Sequence, residues 1–540
     1  MTSTSIGRAS AFLASGTIVS RAMGFVRTIV LLQTIGAVGS ASADAFAVAN
    51  QLPNNIYAII AGGTLSAVLV PQIVRATLHS DGGKGYINKL LTITMVILGV
   101  TTLAATLLAP VLVTVSAASW SGEQRALAIA FAYWCLPQIF FYGLYTVLGE
   151  VLNAKNVFGP FTWAPAVNNV VSIAGLVVFM TLFGDDPNGE RFVTDWSPDK
   201  IALLGGSTTL AVAAQALVLF LFWRRAGIRY RPDFRWRGVG LGAAGKLAGW
   251  TFGMLLVTQA AGLVETNVAA IASGDAASVA AIQAAWLIFM LPHSLITVSL
   301  VTAYFTKMSG HANRGETTEL RQDVSAALRI ATLFMVLGTV VLMVTAYPFT
   351  SLFTGNLADT VAMGNVLIAF LVGLVPFSAL FVLQRVFYSL SDTKTPFFLQ
   401  VLQASIFTVL SLCCALLPDD LIAIGLALAL SLATAIQTVV AAVIIRRRLG
   451  GVGGSTVLES TGRFVVAALP TAVAGVLVYW GIRSTLGDEF LTGGFLTPIV
   501  SMAVLGVAML LVYLGSLALL RSPELADALG PVRARLTRGR

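Results

Sequence analysis

Charged side chains inside apolar segments are the residues of this sequence whose presence needs a chemical explanation. Arg21 and Arg27 lie in the apolar run 10–36, and two carboxylates, Asp44 and Glu265, lie at or within later runs. A charge at the centre of a bilayer costs about 2.5 kcal/mol or more unless it faces a cavity or a partner. We therefore expect each of these residues to face a cavity, a bound molecule or an opposite charge.

The two arginines are spaced so that one cavity could reach both of them. Residues six apart on a helix point about 120° away from each other and lie at different depths. The planar guanidinium group donates hydrogen bonds in a fork that fits phosphate, so Arg21 and Arg27 could form an anion-binding wall. The alternative is a structural role, in which they extend to the membrane interface or pair with Asp44 and Glu265.

Three further positions give weaker signals. Glu150 and Arg385 occupy matching places near the inner ends of the fourth and tenth apolar runs. They could form an ion pair that gates transport, but contact with the membrane interface is the favoured interpretation. Glu265 lies deeper, where a lone carboxylate is either protonated or bound to a cation. Because Thr266 and Asn267 could add oxygen ligands, Glu265 is a candidate sodium site.

The sequence contains no recognisable catalytic motif. The three histidines form no ligand cluster, and the three cysteines lie in apolar runs. No serine–histidine–aspartate arrangement, nucleotide-binding loop or zinc-protease motif appears. We predict a protein that is not an enzyme and has no resident cofactor, with sodium at Glu265 as the one metal hypothesis.

The elements that must position these residues are membrane-spanning helices. Of the 540 residues, 57% are hydrophobic and 11% are charged, and the mean hydropathy is +0.87. A soluble domain has about 25% charged residues, so this composition excludes a cytosolic enzyme or a secreted domain. Apolar runs of about 20 residues or more predict an all-α polytopic membrane protein. Fourteen candidate spans lie at 10–36, 45–73, 88–116, 125–153, 160–184, 201–223, 247–273, 277–306, 327–353, 361–390, 396–418, 420–445, 463–483 and 491–520.

Loop charges predict the orientation of these spans. With the N-terminus in the cytoplasm, 27 of the 33 lysine and arginine residues fall on the inner side and four on the outer side. This asymmetry follows the positive-inside rule and predicts that both termini are cytoplasmic. The net charge of +9 is therefore attributed to topology and to contacts with anionic lipids, and no nucleic-acid partner is predicted.

The sequence also repeats weakly at an offset of 239 residues. Pro53 is matched by Pro292, and Pro137 by Pro376, each within similar flanking residues. Six spans in each repeat would give two lobes of the same orientation. We predict an N-terminal lobe at 1–230, a C-terminal lobe at 231–450, two extra spans within 451–522 and a basic tail at 523–540.

Six short motifs carry a resemblance to a known family. They are Ser20–Arg27, Ala43–Phe46, Leu52–Asn54, Gly63–Ser66, Val70–Pro71 and the turn Asp392–Pro396. Together with the fourteen-span layout, they resemble the MurJ (MviN) family of lipid II flippases, within the multidrug/oligosaccharidyl-lipid/polysaccharide exporter superfamily. The resemblance covers nearly the whole chain.

The resemblance implies two six-helix lobes that form a V around a cationic cavity, with spans 13 and 14 lining a groove for the lipid tail. It maps the family's essential first-span arginines onto Arg21 and Arg27, its second-span acid onto Asp44, and its seventh-span carboxylate onto Glu265. The partners that it implies are lipid II (the undecaprenyl-pyrophosphate-linked disaccharide-pentapeptide) and membrane lipids. Cell-wall synthesis proteins are a further hypothesis.

Five positions depart from the family pattern. Thr28 stands where many members have an aspartate, Tyr57 where they have an arginine, and Gly62 where they have a glutamate. Leu287 and Met290 replace an arginine–glutamate pair in the eighth span. Substrate contacts or ion coupling at these five positions are therefore not carried over to this chain.

The resulting hypothesis is that lipid II moves from the inner to the outer leaflet of the bacterial cytoplasmic membrane by alternating access. A hydrated head group cannot cross about 30 Å of hydrocarbon unaided. Moving two negative charges outward at about 100 mV is favourable by roughly 4–5 kcal/mol, so the membrane potential is one candidate driving force, beside a sodium ion or a proton. The alternatives are an exporter of another polyprenyl-linked glycan, a cation-coupled drug antiporter and a non-transporting scaffold.

Overall fold

The computed structural model describes the backbone of most of the chain. The described residues are 3–60, 84–120, 122–155, 157, 159–223, 230–235, 241–451 and 453–525, and their side chains are described except at 3–14, 84 and 241–248. Several features of the sequence analysis lie outside these residues. They are Gly62, the motifs Gly63–Ser66 and Val70–Pro71, and the part of the basic tail at 526–540.

Long apolar helices dominate the described chain, and no strand occurs in it. Twelve helices are long and apolar enough to cross a membrane, or thirteen if Leu357–Leu371 and Leu374–Ser389, which meet at a 42° bend, form one broken span. The predicted all-α polytopic class is thus confirmed. The count of fourteen is not confirmed, because the second predicted span is described as a helix only over Ala41–Ile60.

The chain divides into two compact units, and the first is Met1–Ala280. Its helices in the described ranges are α1 (Ser3–Ile35), α2 (Ala41–Ile60), α3 (Lys84–Leu107), α4 (Ala109–Ser116), α5 (Gly122–Cys135), α6 (Gln138–Ala154), α7 (Gly159–Phe183), α8 (Pro198–Leu217), α9 (Phe220–Trp223) and α10 (Leu241–Ala269).

Packing in the first unit centres on α6 and α7. Helix α7 packs against α1 and α8, while α6 packs against α3 and α8 around buried residues such as Leu90, Val147 and Val151. The seventh predicted span, α10, packs on α2 and α4, which places it in this unit. The lobe limits suggested by the repeat remain a prediction.

The second compact unit is Ala281–Arg540. Its helices in the described ranges are α11 (Val279–Pro292, which begins just before the unit), α12 (Val298–Arg314), α13 (Thr317–Val344), α14 (Ala346–Thr350), α15 (Leu357–Leu371), α16 (Leu374–Ser389), α17 (Lys394–Cys414), α18 (Asp419–Leu449), α19 (Gly454–Leu486), α20 (Asp488–Thr492) and α21 (Leu496–Leu519).

Three helix pairings recur six spans apart. In the first unit they are α3 with α6, α6 with α8, and α7 with α8; in the second they are α13 with α16, α16 with α18, and α17 with α18. The corresponding core of the second unit contains Val324, Leu383 and Ala441. This recurrence is the packing that a duplication of six spans would produce.

Three of the four matched prolines lie at or near helix interruptions, whereas Pro53 lies inside α2. Pro137 separates α5 from α6, because proline has no N–H to continue the helical hydrogen bonds. Pro292 ends α11 and is followed by one π-helical turn, His293–Thr297. Pro376 lies in the first turn of α16, where an N–H would lack a helical acceptor in any case.

The two C-terminal spans are part of the core of the second unit. Helices α19 and α21 pack on α13, and Phe464, Tyr513 and Leu517 are buried against Leu333 and Val336. The Tyr513 hydroxyl also donates a hydrogen bond to the carbonyl of Leu333 at 3.1 Å. Spans 13 and 14 therefore cover a face of α13 that would otherwise be open.

A buried carboxylate fastens the chain after α21. Glu524 is 1% exposed and accepts hydrogen bonds from Arg329 (2.8 Å), Ser460 (2.7 Å) and Ser522 (2.8 Å). Burial alone would raise the pKa of Glu524, but these donors outweigh it and hold the pKa at about 2. Since Arg329 is on α13 and Ser460 on α19, this carboxylate joins three segments of the unit.

We predict that Glu524→Ala destabilises the protein by about 3 kcal/mol, because it leaves the partly buried Arg329 without its counter-charge. The measurement is the thermal unfolding midpoint in detergent, with Glu459→Ala as the matched control. Glu459 forms an exposed ion pair with Arg463, which contributes at most about 1 kcal/mol. Equal midpoints for the two variants would contradict the prediction.

The same site predicts a pH dependence. A carboxyl whose pKa is lowered on folding stabilises the folded state fully above its ordinary value near 4.5, and that contribution is lost as the pH falls towards 2. Between these values the midpoint of the parent should therefore fall more steeply with pH than that of Glu524→Ala.

Candidate functional site

Polar side chains recur at every fourth residue along α6, in a row that turns by about 40° around the helix at each step. They are Gln138, Tyr142, Thr146 and Glu150. Residues four apart share a helix face, and this row extends about 18 Å along the axis. An apolar span gains nothing from such a row unless it meets polar partners or lines a polar path. A search for charged residues alone misses the row, although its spacing is visible in the sequence.

Helix α2 presents polar groups to this face. The hydroxyl groups of Tyr57 and Thr146 form a hydrogen bond, and the rings of Tyr57 and Tyr142 lie with centroids 5.6 Å apart. The Gln138 amide donates to Asn50 Oδ1 at 3.2 Å. We call the set formed by both helices the polar stripe, which consists of Asn50, Tyr57, Gln138, Tyr142, Thr146 and Glu150.

The polar stripe is satisfied at one end and open along the rest. Gln138 is fully buried, donates to Thr209 Oγ1 of α8 at 3.2 Å and accepts from the Tyr142 hydroxyl at 3.2 Å. Tyr57, Thr146 and Glu150 are half-buried, so each has a face that the protein does not cover. These groups can therefore form hydrogen bonds with water or with a bound polar molecule.

Helix α1 brings Arg27 to the polar stripe. Arg27 is half-buried as a residue, and its charge interacts electrostatically with the Tyr142 phenol. Arg21, six residues earlier, is exposed. Within the described part of the chain, neither Asp44 nor Glu265 has an arginine or lysine nitrogen within salt-bridge distance. The structural alternative, in which the arginines neutralise these two carboxylates, is therefore not what the structure contains.

Asp44 lies in a different place and is fully engaged by protein. It is 2% exposed and accepts hydrogen bonds from Ser273 Oγ at 2.6 Å and from the Ala280 N–H at 2.8 Å. Ser273 in turn accepts from Gln124 Nε2 at 2.7 Å. The carboxylate thus ties the start of α2 to the segment after α10, and a substrate contact at Asp44 stays a prediction. Its partners lie more than 200 residues away in sequence, so the sequence analysis could not identify them.

Glu265 is half-buried on α10, and both candidate oxygen ligands beside it form hydrogen bonds with other groups. Asn267 Oδ1 accepts from the Ala118 N–H at 3.1 Å, and its amide donates to the Val115 carbonyl at 2.7 Å. The Thr266 hydroxyl donates to the Gly262 carbonyl at 2.9 Å. No group of three histidine, cysteine or carboxylate side chains suited to a metal occurs among the described residues.

Helix α10 also borders a cavity of about 360 Å³ with α2 and α4. Its lining is mainly apolar, with polar groups from Gln51, Asn55, Gln259 and Thr266. The Gln259 amide donates to the Asn55 carbonyl at 2.9 Å and so holds α10 against α2.

Arg385 is surrounded by aromatic rings in the second unit. Its guanidinium carbon lies 4.8 Å from the ring centroid of Phe381, 5.5 Å from that of Phe305 and 5.8 Å from that of Tyr388. Such contacts stabilise a cation without neutralising it. Because Glu150 belongs to the first unit, each residue is described with its own neighbours, and the proposed ion pair between them stays a prediction.

Four of the five residues that depart from the family pattern lie in the described chain, and each has ordinary helical or side-chain contacts. The Thr28 hydroxyl donates back to the Gly24 carbonyl at 3.1 Å, as threonine commonly does within a helix. Tyr57 belongs to the polar stripe, and Leu287 and Met290 are half-buried on α11.

The family follows from comparison with known proteins. The family model described as "Lipid II flippase MurJ" matches residues 33–501 of this chain. The chain belongs to the lipid II flippase MurJ family. Membership, together with its many apolar helices, makes it a multi-pass protein of the bacterial inner membrane.

Curated relatives of the family align over most of this member. A "Probable lipid II flippase MurJ" of Rhizobium tropici is 25% identical over 517 residues, which is 92% of this chain and 90% of the relative. One of Thermotoga maritima is 27% identical over 399 residues, which is 72% of this chain and 76% of the relative.

Solved structures share the fold. "Lipid II flippase MurJ, inward closed conformation" matches with a TM-score of 0.71 at 20% identity, covering 94% of this MurJ-family chain and 99% of that one. A multidrug resistance MATE family transporter of the MOP superfamily, in an inward-facing conformation, matches with a TM-score of 0.57 at 16% identity, covering 80% and 98%. These likenesses concern the fold, and they agree with the superfamily that the sequence motifs implied.

We predict that Asp44→Ala lowers the amount of folded protein and its thermal midpoint, because the Ser273 hydroxyl and the Ala280 N–H lose their acceptor. Each buried donor left unpaired costs about 1–3 kcal/mol. The measurement is size-exclusion chromatography and thermal unfolding in detergent, with the exposed Asp185→Ala as the control. Parent-like values for Asp44→Ala would show that the hydrogen-bonded cluster is dispensable.

Proposed function

We propose that this chain flips lipid II across the bacterial inner membrane for cell-wall synthesis. The observation that carries the proposal is the position of Arg27, a cation without a carboxylate partner among the described residues, beside a polar stripe that follows α6 for about 18 Å. Family membership indicates that the cargo is lipid II. Arg27 and the polar stripe provide a place where its charged, hydrated head group can bind.

The direction and driving force belong to the same proposal. With both termini in the cytoplasm, the head group enters from the inner leaflet and leaves at the outer leaflet by alternating access, while the polyprenyl tail stays in lipid. The membrane potential favours outward movement of the pyrophosphate charge by about 2.3 kcal/mol per charge per 100 mV. Coupling to sodium or a proton through Glu265 is the alternative source of free energy.

The step requires no covalent chemistry. The arginines of α1 bind the pyrophosphate, the polar stripe solvates the head, and release on the other side needs only that these contacts be individually weak. Membrane lipids are the other partners, and cell-wall synthesis proteins could receive the cargo.

We predict that Arg27→Ala and Arg21→Ala each reduce flipping by about tenfold or more at a normal membrane level of protein, because charge-assisted hydrogen bonds contribute roughly 1.5–3 kcal/mol. Lysine should restore only part of the rate, because a point charge lacks the two parallel donors. The measurement is lipid II exposed on the outer leaflet of cells depleted of their own flippase, normalised to embedded protein. Arg463→Ala, outside the stripe, is the control.

Two outcomes would oppose this role of the arginines. One is a parent-like rate in Arg27→Ala. The other is recovery of the rate when Asp44→Asn is added to Arg21→Ala, since that would mean that the arginine serves only to neutralise the carboxylate.

We predict that Glu265→Gln leaves the protein folded and changes the dependence of flipping on sodium or pH, because glutamine mimics only the neutral acid. The measurement is the initial flipping rate in vesicles over a series of sodium concentrations and pH values. An unchanged response would assign Glu265 to packing rather than to ion coupling.

A further inference from the structure

Glu150, at the far end of the polar stripe, is a carboxyl group to which the described residues bring no counter-charge. Glu150 is half-buried, and its side-chain hydrogen-bonding neighbour is Asn153, one turn further along α6. Among the described residues, no arginine or lysine nitrogen reaches it within salt-bridge distance. An ionisable residue within a span is costly and is normally paired, solvated or functional.

Glu150 also has a fixed relation to the arginine end of the stripe. It follows Tyr142 by eight residues on α6, which is about 12 Å along the axis and about 80° around it. Tyr142 is the group within electrostatic range of Arg27, and Tyr57 is the group within range of Glu150. The stripe therefore presents a cation near its middle and an anion near its end, with two tyrosines between them.

A bound molecule that matches this pattern carries both signs of charge. A purely anionic head would be attracted at Arg27 and repelled at Glu150, whereas a head that carries both a phosphate and an amine would be attracted at both residues. Glu150 belongs to no group of three or more histidine, cysteine or carboxylate side chains in the described chain, which favours a hydrogen-bonding ammonium over a bare metal ion.

We propose that Glu150 binds a primary ammonium group on the cargo's head group while Arg27 holds its phosphate. This inference rests on the proposed function and deepens it. On this proposal the protein binds the amine of the peptide part of lipid II directly, and the amine contributes to cargo recognition. Glu150 is then a specificity-determining residue, distinct from the pyrophosphate contacts.

The test compares two cargos in vesicles containing the full-length protein. One is lipid II with a free amine on its peptide, and the other is the same lipid with that amine acetylated. The proteins are the parent, Glu150→Gln and the control Glu123→Gln, whose carboxylate is exposed at the start of α5. The readout is the ratio of initial flipping rates for the two cargos, which does not depend on how much protein is folded.

We expect the parent and Glu123→Gln to flip the free-amine cargo about fivefold faster than the acetylated one, the size of a solvent-accessible charge contact. In Glu150→Gln this ratio should fall to about one, chiefly through a slower rate for the free-amine cargo. Arg27→Ala should slow both cargos alike and leave the ratio at its parent value.

Three results would overturn the inference. The parent could flip both cargos equally, or Glu150→Gln could keep the parent ratio. Glu150→Gln could also slow both cargos alike in a manner that depends on sodium, which would assign the carboxylate to an inorganic cation. If the parent flips neither cargo, the proposed function itself fails and this inference with it.

Discussion

The structure depends on the cost of placing polar groups within about 30 Å of hydrocarbon, where no water satisfies them. Two solutions occur in the first unit. Asp44 and Gln138 are buried, and protein donors or acceptors engage them. Arg27 and Glu150 are half-buried and have no opposite charge among the described residues. The first pair holds helices together, whereas the second pair needs water or a bound molecule to complete its interactions.

The second unit shows what a purely structural charge looks like in this protein. Glu524 is covered almost completely and has three donors, one of them the guanidinium of Arg329. Arg385 differs because its neighbours are aromatic rings, which stabilise the guanidinium without neutralising its charge. The number of partners that each charge has, rather than its presence in an apolar run, therefore separates the residues that stabilise the fold from those that can act on a cargo.

This distinction explains how far the sequence could lead. Composition and the length of apolar runs were sufficient for the helical class and for nearly all spans, because the bilayer imposes them locally. The hydrogen-bond partners of Asp44 could not be predicted, because Ser273 and Ala280 lie more than 200 residues away in the sequence. They contribute a hydroxyl and a backbone N–H, and neither group belongs to a recognisable sequence motif. The part of the polar stripe on α6 could have been predicted, because polar residues recur there at every fourth position. Glutamine, tyrosine and threonine are weaker indicators of a site within a span than charged residues are.

Tyr57 shows why the uncharged members of the stripe matter for transport. The resemblance gives many relatives an arginine at this position, and a cation there would lie within range of Glu150 and could neutralise it. The tyrosine instead forms a hydrogen bond with Thr146, and among the described residues Glu150 has no counter-charge. Charge along the stripe is therefore separated rather than cancelled, and a head group held at two points is oriented as well as bound. Neither contact needs to be strong, which suits a protein that must release its cargo after each passage.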